Sequence, residues 1–149
     1  MTQMPEKRTV RIVILSLEGL VLVKSRYKHC WELPGGRIEY GEKPVEAATR
    51  EVFEETALII WPENFSEIHQ TIRRGNHIHL FGTFMPEIRK ETMPQFGAVS
   101  GEEVIMADGK EIDWLIAEKR FHERDIELMR QTDAHRRIQN LLRGRSQAA

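Results

Sequence analysis

Between Gly36 and Leu58 the chain reads GRIEYGEKPVEAATREVFEETAL, which puts Glu51, Glu54 and Glu55 into one helical turn behind the Gly35-Gly36 pair. Residues three and four apart are neighbours on a helix, and like charges at that spacing cost roughly 0.2–0.5 kcal/mol per pair. A hard divalent cation reverses the sign. Mg²⁺ takes oxygen ligands, typically a carboxylate or two with the remaining positions held by water and substrate phosphates. A carboxylate cluster beside a glycine loop therefore points to metal-assisted chemistry on a phosphorylated substrate.

Such a cluster needs a helix to carry it and strands to seat the loop. Pro44 suits the first turn of that helix, where its missing N–H is harmless. Along it Val45, Ala48, Val52 and Thr56 share one face, so the three carboxylates are expected to face away from the core, toward a cleft. Upstream, the β-branched run at residues 9–16, the Glu18-Gly19 turn and residues 20–24 predict a hairpin of buried strands. Residues 31–33 predict a short strand stopped by Pro34-Gly35-Gly36. Downstream, residues 66–72 and 77–85 predict an antiparallel pair around Arg73-Arg74-Gly75-Asn76, with Ile78, Leu80 and Phe84 alternating against His77, His79 and Thr83. Residues 111–117 predict a further strand, and residues 123–142 a helical tail with a break near Thr132-Asp133. Residues 86–110 lack clear periodicity, and an irregular segment of that length is usually functional or mobile.

Counting from Gly36, five residues lead to Glu42 and seven more to Arg50, followed by Glu51, Val52, Phe53, Glu54, Glu55, Thr56, Ala57 and Leu58. This resembles the Nudix box: Gly, five residues, Glu, seven residues, then Arg-Glu-apolar-any-Glu-Glu-any-Gly-apolar. The approach Trp31-Glu32-Leu33-Pro34-Gly35 is also similar to that family's. Taken as a solvated surface, Glu46, Arg50 and Glu54 would form an i,i+4 charge ladder, but such a ladder does not call for the Gly-Gly loop or for Glu42 at that spacing. Ala57 departs from the pattern by replacing a glycine just past the helix, where a left-handed residue is common. A small stability cost is expected there, with the acidic residues untouched.

The resemblance implies an α/β fold, an α/β/α sandwich around a mixed, partly antiparallel sheet, formed by a single domain over residues 1–149. It implies that the Gly36 carbonyl and carboxylates among Glu51, Glu54 and Glu55 hold Mg²⁺ or Mn²⁺, that Arg50 orients the glutamates, and that Glu51 serves as general base, although some family members place the base in a later loop. The activity implied is cleavage of a pyrophosphate bond in a nucleoside diphosphate linked to another moiety, by a metal-activated water. A MutT-like (d)NTP pyrophosphohydrolase and a nucleotide-sugar or ADP-ribose hydrolase both fit, because the motifs resembling other subgroups are absent. The alternative is a Nudix-fold sensor that holds a nucleotide without cleaving it, although such modules can lose box glutamates and all are present here.

A fourth carboxylate often completes the site in this family, and Glu102, Glu103, Glu111 and Asp113 are the candidates. Lys24 and Arg26, just after the first hairpin, could reach a substrate phosphate. His77 and His79 share a strand face but lack a third partner and are left out of the metal site. A phosphate-binding P-loop over residues 36–43 is excluded, since Glu42 stands where that loop needs lysine. Trp31 and Trp114 read as core residues, and Cys30 as a small buried hydrophobe.

Composition bounds the rest. With 149 residues, 40% hydrophobic and 30% charged, the chain is long enough for a real core. A formal net charge of −1 gives no electrostatic case for nonspecific or stable nucleic-acid binding and leaves a small nucleotide substrate as the expected partner, with a homodimer open. The lone Cys30 precludes an intrachain disulfide, no run approaches the ~20 apolar residues needed to span a bilayer, and the first ten residues carry no apolar targeting segment. A cytoplasmic location is expected.

Overall fold

The computed structural model describes residues 7–25 and 27–148; residue 26, and with it the side chain of Arg26, lies outside the described residues. Six strands form one mixed sheet: β1 (Lys7–Leu15), β2 (Leu20–Lys24), β3 (Gly35–Arg37), β4 (Ser66–Arg73), β5 (Asn76–Phe84) and β6 (Glu103–Ala107), in the order β4-β5-β1-β2-β6 with β3 also on β1. β1 and β5 run parallel, and the other pairs are antiparallel. Helix α1 (Pro44–Thr56) covers one face, and α2 (Gly109–Ala117), α3 (Glu123–Gln131) and α4 (Ala134–Ala148) cover the other. This is the α/β/α sandwich expected from the sequence.

Both faces are buried, which explains why β1 and β2 read as near-continuous apolar runs. Val10, Ile12, Ile14, Val21 and Val23 pack under α1, while Val13, Leu20 and Leu22 pack against the other layer. The expected hairpin is present but soon splays. Its strands pair at Leu15 and Leu20 near the turn, and residues 31–38 then run between them: Val23 exchanges backbone hydrogen bonds with Glu32, Ile12 N–H donates to the Pro34 carbonyl, and β3 pairs with residues 9–11. The strand expected at residues 31–33 is accordingly corrected. Trp31 and Glu32 make only isolated bridges, and the regular strand is the Gly-Gly-Arg stretch beyond Pro34.

Residues 111–117 are helix, not strand. Asp108 caps α2, accepting the Glu111 N–H at 2.9 Å while the Glu111 carboxylate accepts the Asp108 N–H, and Ile112 and Leu115 bury at helical spacing. The strand of that region is β6, inside the stretch that showed no periodicity. Phe84, the last residue of β5, is exposed, while the inner part of the strand buries His79 and Phe81 on one face and Ile78 and Leu80 on the other. Trp31 is in the core as expected, Trp114 is exposed beside Arg120, and Cys30 is only half-buried. The break near Thr132-Asp133 is present between α3 and α4, with Asp133 at φ 63°.

Helix α1 ends where expected, at Ala57 with φ 64°, its N–H donating to the Phe53 carbonyl at 2.9 Å. A Cβ is strained in that conformation. Ala57→Gly should therefore raise stability by up to about 1 kcal/mol with turnover within a few-fold of wild type. Thermal melts showing a lower midpoint for the variant would refute this.

Candidate active site

Three backbone approaches bring α1, β3 and the segment before β6 together. Gly36 lies against Glu51 so closely that a Cβ there would fall 2.5 Å from the carboxylate. Gly35 donates its N–H to Glu55 Oε1 at 2.7 Å. At the far end of α1, Val99 and Ser100 donate their N–H groups to the Glu54 carbonyl at 3.0 and 3.2 Å, satisfying an acceptor the helix end leaves open. Gly97 permits that contact, since a Cβ would lie 2.6–2.7 Å from the Glu54 and Glu55 carbonyl oxygens. This docking sets Glu102 beside Glu55, with their side chains hydrogen-bonded to each other.

Arg50 sits at the centre of the acids. Its Nε and Nη2 grip Glu42 at 2.8 and 2.9 Å, Nη1 reaches Glu51 at 2.9 Å and Glu54 at 3.2 Å, and Nη2 also donates to the Arg37 carbonyl at 2.9 Å. A planar guanidinium can span that many oxygens. The pairing holds the Glu42 carboxyl below its ordinary range and raises Arg50 further. Burial pushes Glu51 up, opposed by Arg50. Glu55 is pushed up to about 10, chiefly by burial and then by Glu102, so Glu55 keeps its proton at neutral pH.

Helical spacing turns the three box glutamates away from the core, toward a cleft, and the structure covers them to different degrees. Glu54 is one-third exposed, Glu51 mostly covered, and Glu55 only 8% exposed beneath the Gly35 backbone. As placed, no three acidic, histidine or cysteine side chains among the described residues converge on one point. Arg50 takes one oxygen each of Glu51 and Glu54, and Gly35 takes one of Glu55. The donor set nevertheless suits a hard cation, being oxygen-only, crowded, and neutralised in its absence by an arginine and by the proton on Glu55.

Of the four candidates for an additional carboxylate, the fold brings only Glu102 to Glu55. Glu103 is exposed on β6 opposite Lys24, Glu111 is bound to the α2 cap and to Lys90, and Asp113 accepts from Gln139 at 2.8 Å. Lys24 lies one rung from Glu102, with its ammonium 5.9 Å from the Trp31 ring centre and donating to the Lys28 carbonyl. His77 and His79 stack at 4.4 Å, and His79 is bound to Glu67 at 2.6 Å, away from the box.

Two features escaped the sequence. Arg11, opposite Gly35 on β1, donates to the Leu33 carbonyl at 3.3 Å, and its charge reaches Glu51. An arginine inside a β-branched run was the available signal. Fully buried Asp125 accepts the Leu33 N–H at 2.9 Å and pairs with Arg124, which also holds Glu32 at 3.0 Å, so α3 braces the approach to the glycine loop. No local pattern marks that long-range contact.

The NUDIX domain family model matches residues 5–133. A Bacillus subtilis protein, named provisionally as an 8-oxo-dGTP diphosphatase, is 33% identical over 100 residues, 67% of this chain and 57% of its own length. An RNA pyrophosphohydrolase of Bartonella quintana is 38% identical over 65 residues, 37% of this chain and 38% of its own. The chain thus spans little more than half, or less, of the length of these curated relatives. A solved structure of MutT, from work on Aliivibrio salmonicida and Vibrio cholerae, superposes with a TM-score of 0.65 at 20% identity, covering 86% of this chain and 98% of that one. At that identity the likeness concerns the fold alone.

Proposed function

The chain belongs to the Nudix family, and from that premise we propose that it is a pyrophosphohydrolase that cleaves a nucleoside diphosphate linked to another moiety, of the (d)NTP or nucleotide-sugar and ADP-ribose kind. The observation that carries this is the placing of Glu51 against Gly36 and of Glu55 between the Gly35 N–H and Glu102, with Arg50 linking Glu51 to Glu54. Surface charge alone gives no reason for a carboxyl as buried as Glu55 to be placed beside a second one.

In this proposal the Gly36 carbonyl and the carboxylates of Glu51, Glu54 and Glu55, with Glu102, hold Mg²⁺ or Mn²⁺. The ion supplies charge neutralisation on the phosphates and acidifies a water. Arg50 keeps Glu51 and Glu54 in register and ties them to β3 through the Arg37 carbonyl. Glu51, mostly covered and raised by burial, accepts the proton of the attacking water. Lys24 and Arg26 follow the first hairpin and serve the substrate phosphates. The layers on either side of the one sheet support taking residues 1–149 as a single domain. No helix among the described residues is long and apolar enough to cross a membrane, in keeping with a proposed cytoplasmic site of action.

The test is a panel of (d)NTPs, nucleotide sugars and ADP-ribose with Mg²⁺, following phosphate and pyrophosphate release with and without chelator. No turnover of any member would sink the proposal. Within it, Glu102→Gln should cut kcat or Mg²⁺ affinity by about 10–100-fold, as removal of a supporting carboxylate does. Glu103→Gln should stay near wild type, and both should melt as wild type does. Equal kinetics for the two variants would remove Glu102 from the site.

A further inference from the structure

Two buried carboxylates, one from each helical layer, hold the stretch that leads into the glycine loop. Leu33 donates its N–H to Asp125 Oδ2 of α3 at 2.9 Å, and two residues on, Gly35 donates its N–H to Glu55 Oε1 of α1 at 2.7 Å. Glu55 belongs to the acidic site. Asp125, with no exposed surface, belongs to the layer on the other side of the sheet.

The neighbouring hydrogen bonds explain why an aspartate holds Leu33. Residues 31–33 and 120–122 run side by side as a short parallel ladder: Trp31 N–H donates to the Arg120 carbonyl at 2.7 Å, and His122 N–H to the Trp31 carbonyl at 3.0 Å. In such a ladder the next donor, Leu33 N–H, would meet the His122 carbonyl. That carbonyl is taken, because α3 starts here and Asp125 and Ile126 both donate their N–H groups to it at 3.1 Å. Asp125 supplies from its side chain the acceptor that the backbone withholds, and a buried N–H without one is costly. Enclosing a carboxylate is costly too, and three contacts offset it: the Leu33 N–H, the Arg124 guanidinium at 3.0 and 3.3 Å, and a place in the first turn of α3, where the helix dipole favours negative charge.

The link from Leu33 to the site is short and stiff. Arg11 donates to the Leu33 carbonyl at 3.3 Å, Pro34 has a fixed φ, and its carbonyl accepts the Ile12 N–H at 2.9 Å. Gly35 then lies so close to β1 that a Cβ would run into the Val10 carbonyl, and Gly36 lies against Glu51. A shift of Leu33 therefore moves both glycines relative to α1.

We propose that Asp125 is a positioning residue for the acidic site: by fixing Leu33 it sets where Gly35 and Gly36 lie, and through them how Glu55, Glu51 and the Gly36 carbonyl are presented to a divalent ion. It rests on the reading above that these groups hold Mg²⁺ or Mn²⁺. Asp125 acts here through the loop and not by touching ion or substrate.

Two measurements on the intact protein test this. Asp125→Ala removes the acceptor, whereas Asp125→Asn keeps an oxygen in its place and removes the charge. Calorimetric titration with Mg²⁺ should give an affinity about 10–100-fold weaker for the alanine variant, as for other groups that orient metal ligands, and within a few-fold of wild type for the asparagine variant, although loss of the Arg124 pair lowers the melting temperature of both. Unchanged affinity in Asp125→Ala, or an equal loss in both variants, overturns the positioning role. The second measurement uses wild type and needs no variant to fold. Coupling is reciprocal, so if the Leu33 bond tightens Mg²⁺ binding, Mg²⁺ tightens the Leu33 bond. Added Mg²⁺ should slow hydrogen exchange at the Leu33 amide by the same factor as at Gly35, and by more than at Met85, whose N–H donates to the Leu15 carbonyl. Protection of Gly35 with Leu33 behaving like Met85 overturns the role of Asp125 and leaves the metal site and the hydrolase reading standing. Mg²⁺ binding with Leu33 protected, but no turnover of any nucleotide, upholds the positioning role and fails the hydrolase reading.

Discussion

Glu55→Gln is expected to lower turnover by orders of magnitude while leaving the metal-free protein as stable as wild type at pH 5 and more stable at pH 8. Loss of activity follows from replacing a charged donor at the proposed metal site with a neutral amide. The stability gain follows from the pKa. Burial and Glu102 push Glu55 up to about 10 in the folded protein, from 4.5 in an unfolded chain, so the folded state holds a proton that the unfolded state releases. Stability from this group is fully present below pH 4.5 and declines as pH rises toward 10. Glutamine has no such proton. It still accepts the Gly35 N–H that Glu55 Oε1 accepts at 2.7 Å, so the loop geometry survives. Melting curves across pH without metal should show the two proteins diverging as pH rises, and added Mg²⁺ should raise the wild-type midpoint more than the variant's. Parallel curves would show that Glu55 carries no raised pKa, and unchanged kinetics in a folded variant would dismiss it from catalysis.

The second large effect is expected at Arg50. Arg50→Lys keeps the positive charge but loses the planar fork, and one ammonium cannot hold Glu42, Glu51, Glu54 and the Arg37 carbonyl together. Turnover should fall by about 10–100-fold, as it does when groups that orient metal-binding side chains are replaced. Because those contacts are partly open to solvent, the melting temperature should move little by comparison. The distinguishing readout is Mg²⁺ dependence: a positioning role predicts that more Mg²⁺ recovers part of the lost rate, since the glutamates remain present but poorly aligned. A variant with wild-type kcat and KM would show that Glu51 and Glu54 need no orienting partner.

Much of the site was legible because its residues are neighbours along the chain. Glu51, Glu54 and Glu55 lie within one turn, Arg50 is adjacent, and Glu42 and Gly36 are at a spacing that a strand, a loop and a helix start can bridge. The left-handed Ala57 was legible for the same local reason. The mistaken strand at residues 111–117 shows the limit of local apolarity. Ile112, Leu115 and Ile116 fit a helix or a buried strand over so short a run, and the Asp108–Glu111 capping box, two short side chains reaching backbone N–H groups, decided for helix.

What the sequence determined on its own is the composition of the acidic turn and the class of chemistry it can do, since helical spacing alone puts those carboxylates side by side. Tertiary structure decided which of them is buried and which outside acid joins them. Glu55 is covered because β3 enters between the splayed β1 and β2 and lays Gly35 over it. Glu102 joins it because Gly97 allows a distant segment to touch the end of α1. Each of these contacts crosses tens of residues, and nothing in the spacing along the chain encodes a distance through space.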